Sequence, residues 1–456
     1  MVADTIRPVF QEFLFEISML LLCSKISRLI SVVAFAMFST VSIAEDWSQF
    51  RGPLGNAISA EVPTPVDFSE ARTVWATEIP GTGWSSPVVA GGHIWLTTAE
   101  PTEATPEEVA KKVKGVQFAK IKTTAGQVKL RAICVDAATG RIVHNVLLRD
   151  VSDPDLINPL NSYASPTPAI AGDRVICNFG SYGTWCLNAK TAVAVWDTAL
   201  VIDHSVGPGS SPVIVGNTVI LVCDGIDKQF VAGLDLESGD EKWRTSRPEM
   251  RTDNGEFRKA YSTPLLVSVD GRTQAVIPGA QWMCAYDPAN GKEIWRADCG
   301  NGFSTTPMAI YDSGLVVCST GFMSPELVAV NPEGQGDVTA DIVWKSKQGG
   351  STMPTAVAAN GLMYSISDKG ILSVLNTVTG EMTSRQRIGG KFAASPLLVG
   401  DNLYLPSQEG IMTVIDKTTM KVIARNKMDG ALMASPAVLG SDLVIRTSKS
   451  LVRLAQ

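Results

Sequence analysis

The sequence predicts an all-β chain folded as an eight-bladed β-propeller of four-stranded antiparallel blades, with the ring closed by a strand from near the N-terminus. Three observations predict it. A pair of small, mostly hydroxyl-bearing residues before proline recurs eight times, each time followed by an apolar strand. Glycine (39) and proline (25) are spread through the 456 residues, as many short strands joined by tight turns require. The last copy of the motif runs out one strand short, while a strand-like segment, residues 73–79, stands before the first copy.

The eight prolines are Pro87, Pro166, Pro212, Pro264, Pro307, Pro354, Pro396 and Pro436, and subtraction of neighbouring positions gives gaps of 79, 46, 52, 43, 47, 42 and 40. All but the first suit one four-stranded blade. In the unit around Pro212, proline starts the innermost strand, where its missing N–H costs no ladder bond. Gly216 and Asn217 then turn the chain, and Asp235 to Gly239 forms the hairpin between the third and fourth strands. Trp243 follows on the outer strand. The same Asp-x-x-x-Gly spacing occurs at Asp136 to Gly140 and Asp287 to Gly291, with Asn376 to Gly380 a close variant. Trp295 follows one of these, and Trp196 and Trp344 occupy similar outer-strand contexts. Aspartates at such turns bond their own backbone and are read as scaffold.

These repeats resemble the tryptophan-docking repeat of pyrroloquinoline quinone (PQQ) propellers, the quinoprotein alcohol dehydrogenase-like superfamily that also includes the outer-membrane β-barrel assembly lipoprotein. The resemblance covers residues 73–456. It implies that each indole packs between neighbouring blades. The segment Asp46 to Pro53 resembles an opening motif of secreted relatives, which implies an N-terminal extension, residues 45–72, packed on the propeller. In the last blade, Trp75 and its neighbours are expected to supply the missing outer strand, leaving no exposed sheet edge.

Lys25 and Arg28 precede an apolar run, Leu29 to Phe38, and Ser42-Ile43-Ala44 places small residues ahead of Glu45. This predicts a signal peptide over residues 1–44, with Met19 as the expected true start, and a periplasmic or extracellular soluble product. The run is shorter than the roughly 20 residues that span a bilayer, so no transmembrane span is expected in the mature chain. The formal charge of −6 and the lack of a lysine and arginine stripe exclude nucleic acid as an expected partner. Of eight cysteines, one lies in the leader, and the other seven are read as buried thiols because most sit in apolar runs. The wide first gap is filled by residues 100–128, where Thr105-Pro106-Glu107-Glu108 predicts a capped helix on the rim, with Val109, Val113 and Val116 on one face.

Ligands of propellers bind over the central channel, beside the loops that precede each innermost strand. Those loops place Trp84, Tyr163, Tyr261, Phe303 and Phe392 at one mouth, with His204, Arg258, Asp203 and Lys259 nearby. The expected site residues are therefore Trp84, Tyr163, His204, Arg258, Tyr261, Phe303 and Phe392. The competing reading is that these rings merely plug an apolar funnel. His93, His144 and His204 lie in different blades, so no metal site is predicted. No nucleophile elbow and no P-loop occurs. Two function classes remain. One is a non-catalytic binding or scaffolding module, taken to be a monomer without a cofactor, whose partner is an envelope protein or an extracellular ligand. The other, implied by the resemblance, is a dehydrogenase that oxidises an alcohol or sugar with PQQ and calcium. The sequence favours the first, since it lacks the adjacent cysteines and long insertions of the dehydrogenases.

Overall fold

The computed structural model describes residues 46–59 and 64–456. The predicted leader lies outside them. Eight sheets follow one another in chain order. Blade 1 runs from its innermost strand Val88–Ala90 to its outer strand Ile142–Val151, blade 2 from Ala169–Ala171 to Ala194–Thr198, and blade 3 from Val213–Val215 to Glu241–Ser246. Blade 4 runs from Leu265–Val269 to Glu293–Asp298, blade 5 from Ile310–Asp312 to Ile342–Ser346, blade 6 from Val357–Ala359 to Met382–Arg387, and blade 7 from Leu397–Val399 to Val422–Lys427. Blade 8 takes three strands from the C-terminus, ending at Ser450–Leu454, and its fourth is Thr73–Glu78. Trp75 pairs with Arg453 and Thr77 with Leu451, so the ring closes as the sequence predicts.

Burial follows position in the blade. The second strand of blade 3, Thr218–Asp224, is buried at every residue because neighbouring blades cover both its faces. The outer strand of blade 1 alternates between exposed and half-buried positions, the period-2 signature of a strand with one wet face.

Neighbouring blades are joined by two repeated devices. The first is a girdle around the channel, in which the backbone N–H of one blade donates to a hydroxyl of the next. Ser86 donates to Thr167 (2.9 Å), Thr167 to Ser211 (2.9 Å) and Ser211 to Thr263 (2.9 Å). After a break, Met308 donates to Thr355 (2.9 Å), Thr355 to Ser395 (3.0 Å), Ser395 to Ser435 (2.9 Å) and Ser435 back to Ser86 (3.1 Å). This girdle corrects the repeat alignment at three places. The residues that follow the girdle positions and open the innermost strands are Pro168, Ala309 and Ala356, two positions beyond Pro166, Pro307 and Pro354.

The second device is the tryptophan. Each indole N–H donates to the carbonyl just after the turn Asp or Asn of the following blade: Trp75 to Ala137 (3.0 Å), Trp196 to Leu236 (2.9 Å), Trp243 to Pro288 (3.0 Å) and Trp344 to Thr377 (3.0 Å). The ring then lies over the turn glycine. A Cβ on Gly291 would stand 2.3 Å from the Trp243 ring, and Gly291 also holds φ +72°, so the position accepts only glycine. Trp295 departs from the expectation, for its indole N–H donates to Gln274 of its own blade (2.8 Å). In the turns themselves Asp136, Asp235 and Asn376 accept from backbone N–H groups within the turn.

Two additions complete the fold. Residues 46–59 lie along the innermost strands: Trp47 bridges Val89, Ser48 accepts from Ile170, and Ile58–Ser59 pairs in parallel with Leu398 and Val399. The fully buried Arg51 fixes this segment by donating to the carbonyls of Gly55, Thr355, Asn56 and Ala356. With no carboxylate among those partners, burial lowers its pKa to about 9. The helix α1 (Pro106–Val113) forms in the rim segment, with Thr105 and Glu108 in a reciprocal capping box. Val109 and Val113 on it are only half-buried, and Lys112 ties it to Asp153 at 2.6 Å.

Candidate functional site

The loops that enter each innermost strand converge on one end of the channel and surround a cavity of about 340 Å³. Its walls are the girdle residues Ser86, Thr167, Ser211, Thr263, Thr355, Ser395 and Ser435, and Phe50 from the N-terminal segment also lines it. The girdle hydroxyls already accept backbone bonds, which reduces their capacity to engage a ligand. Around the mouth stand Phe118 (43% exposed), Ile121 (44%), Leu160 (53%) and Phe322 (49%), an apolar rim open to solvent. The aromatic rings are held edge to face, with Phe257 and Phe303 centroids 4.8 Å apart and Phe303 and Phe322 6.0 Å apart.

Of the seven residues predicted for this mouth, Trp84, Tyr261 and Phe303 line the cavity. Trp84 is positioned by donation from its indole to Leu160 O (3.1 Å), and Tyr261 by donation from its hydroxyl to His204 O (2.7 Å). The other four stand elsewhere. Tyr163 is buried behind the wall, where its hydroxyl donates to Asp155 O (2.9 Å) and accepts from Ala125 N–H (3.1 Å). Phe392 belongs to the core between blades 6 and 7. Arg258 points away to Thr252 O and Asp253. His204 backs onto a separate small cavity with its Nε2 sealed from solvent and without a partner, and burial lowers its pKa to about 4. The residue as a whole is half-buried, but the enclosure of this nitrogen governs proton affinity.

Among the described residues, Lys259 is the one charged side chain lining the cavity. It belongs to a buried cluster in which Lys259 and Lys122 share Glu256, Lys122 Nζ lying 2.6 Å from Glu256 Oε1 and Ser205 Oγ 3.0 Å from both carboxylate oxygens. Burial opposes charge on Glu256, yet hydrogen bonds from Lys122 and Lys259 outweigh it and hold the carboxyl below its usual range. Burial likewise lowers Lys259, with Glu256 opposing the shift. Lys122 comes from the rim segment and Glu256 from the loop entering blade 4, so the cluster pins one to the other. Sequence reasoning missed the rim residues Phe118, Ile121, Leu160 and Phe322, because they lie on loops whose path no periodicity reports.

Calcium takes six to eight oxygen ligands, usually including carboxylates. Among the described residues no carboxylate lines the cavity, and no group of three or more His, Cys, Asp or Glu could hold a metal ion. The residues of the funnel do not fit a calcium-bound quinone. Among the described residues no helix is long and apolar enough to cross a membrane.

Residues 114–276, 231–333 and 325–449 match the family model described as outer membrane protein assembly factor BamB. Among solved structures, BamB from Moraxella catarrhalis is 14% identical over 84% of this chain and 99% of its own, with a TM-score of 0.54. The quinohemoprotein alcohol dehydrogenase ADHIIG from Pseudomonas putida HK5 is 11% identical over 90% of this chain and 80% of its own, with a TM-score of 0.58. At these identities the likeness is one of fold. No curated protein matches the chain. With its repeats matched from residue 114 to residue 449, the chain belongs to the family of outer membrane protein assembly factor BamB.

Proposed function

We propose that the protein is an exported, non-catalytic propeller that binds an envelope partner over the open mouth of its channel. The observation that carries this reading is the rim of Phe118, Ile121, Leu160 and Phe322, four exposed apolar side chains around one funnel. Scattered apolar residues on a surface need no explanation, whereas a contiguous set around a concavity is what a recognition surface presents. The family description, an assembly factor of the outer membrane, supports the same reading. The dehydrogenase reading has the fold likeness to ADHIIG in its favour and the donor set of the funnel against it.

The test uses the purified chain as bait for envelope proteins, compared with a Leu160→Asp, Phe322→Asp variant of unchanged thermal midpoint. Partners retained by the wild type and lost from the variant are expected, and equal recovery rejects the mouth as the binding surface. Incubation with PQQ and calcium forms the second arm. Dye reduction in the presence of an alcohol would replace this reading with the dehydrogenase one.

A further inference from the structure

The seam between blades 4 and 5 lacks both devices that join other blades. In the girdle, the place that Thr or Ser holds elsewhere is Met308, which offers the preceding blade no hydroxyl. Trp295, the tryptophan that would clip blade 4 to blade 5, donates to Gln274 in its own blade instead. The loops nearest the mouth keep a bond from Ser262 Oγ to Pro307 O (2.9 Å), and deeper in the seam Gln274 Nε2 donates to Pro332 O (3.0 Å) and Gly336–Asp337 pairs with Trp295–Arg296, around an apolar cluster of Trp295, Met308, Val316, Val328 and Val338. Two cysteines sit in that cluster. Cys299, just past the outer strand of blade 4, and Cys318, on the second strand of blade 5, bring their Sγ atoms to 3.8 Å. Among the described residues they are the one thiol pair within hydrogen-bonding reach.

We propose that Cys299 and Cys318 are a redox pair that closes to an inter-blade disulfide when the chain folds in an oxidising compartment. The contact must shorten from 3.8 Å to the ~2.05 Å of an S–S bond. Both thiols are buried, and the hydrogen bond with Cys318 together with burial raises the Cys299 pKa, so the folded thiol is a poor nucleophile and oxidation belongs to the folding chain. The co-reactant is a disulfide-exchange donor. The thiolate of one cysteine attacks the donor disulfide and forms a mixed disulfide, and the donor's first sulfur takes up a proton. The second cysteine's thiolate attacks the protein sulfur of that bond and displaces the donor's other sulfur. The two protein thiols lose two electrons and two protons, and the donor disulfide is reduced to two thiols. The bridge adds a covalent link to a seam where Met308 offers no girdle hydroxyl and the Trp295 indole reaches blade 5 only through Gln274.

The test is refolding of the reduced full chain in a glutathione redox buffer, followed by alkylation under denaturing conditions without reduction and peptide mapping. The expected result is a cross-linked pair of peptides carrying Cys299 and Cys318, with the other six of the eight cysteines alkylated or capped by glutathione alone. The Cys284→Ser control keeps the bridge. Refolded protein in which Cys299 and Cys318 are both alkylated, or a bridge joining other cysteines, overturns the proposal, and neither outcome requires a variant to fold.

Discussion

Seams 3/4 and 4/5 are neighbours in one ring, and both bury a tryptophan from the third position of an outer strand, Trp243 and Trp295. At 3/4 the indole reaches across to Pro288 over Gly291, and the buried Arg247 reaches too, binding Asp224 of blade 3 through three bonds of 2.7–3.1 Å and Ile277 O of blade 4 at 3.2 Å. At 4/5 blade 5 has no Asp-x-x-x-Gly turn to receive an indole, and the segment Gly336–Asp337 lies alongside Trp295–Arg296 instead. The same residue type at the same strand position therefore bonds the next blade directly at 3/4 and only through Gln274, whose Nε2 donates to Pro332 O (3.0 Å), at 4/5, depending on whether the next blade offers a bare carbonyl over a glycine.

The contrast can be tested from the largest effect downward. Asp224→Asn leaves a buried guanidinium unpaired at seam 3/4 and is expected to cost about 3–5 kcal/mol in denaturant unfolding. A loss below about 1 kcal/mol would show that this pair does not hold the seam. Gly291→Ala must bear a left-handed backbone, about 1–2 kcal/mol, and also displace the Trp243 ring, about 1–3 kcal/mol more. Gly336→Ala at seam 4/5 has φ +70° but nothing within 4 Å, so only the backbone cost is expected. Equal losses in the two variants would contradict indole docking as the reason for the glycine.

The next effect lies outside both seams and separates them from acid sensitivity of the whole ring. His204 has a folded pKa of about 4 against an ordinary 6.5, so above pH 6.5 it is neutral folded and unfolded and its burial carries no ionisation penalty. As pH falls from 6.5 to 4 the unfolded chain takes up a proton that the folded one refuses, and stability declines by up to about 3 kcal/mol. His204→Gln should flatten that part of the stability profile, while the seam variants keep it. The smallest effect concerns the girdle. Thr263→Val removes the acceptor of the Ser211 N–H at seam 3/4 and is expected to cost about 1–3 kcal/mol, whereas Met308→Leu at seam 4/5 breaks no girdle bond and should stay under about 1.5 kcal/mol. Thermal unfolding of the pair measures the difference.

Much of this was legible in the sequence. The turn residues Asp136, Asp235 and Asn376, the tryptophans after the turns and the orphan strand around Trp75 all act locally or by strict repetition, so the pattern carried the information. Proline was a weaker guide. Pro166, Pro307 and Pro354 lie close to the right place but two residues early, because the bond that defines the repeat is made by the hydroxyl residue and needs no proline after it. At the mouth, Trp84, Tyr261 and Phe303 could be found from their distance to the motif. Tyr163 and Phe392 share that distance and are core, since the loops around them fold inward toward Asp155 O and the cluster of blades 6 and 7.

From residue order alone came the number of blades, their strand directions and the closure of the ring, because hydrophobic alternation and turn chemistry are properties of short segments. Tertiary structure decided which seams are clipped, which side chains meet across them, and which rings face the funnel. Those outcomes depend on what the neighbouring blade presents at a distance of a few ångströms, and for Cys299 and Cys318, or Trp295 and its missing turn, that neighbour is fixed only once the blades have packed.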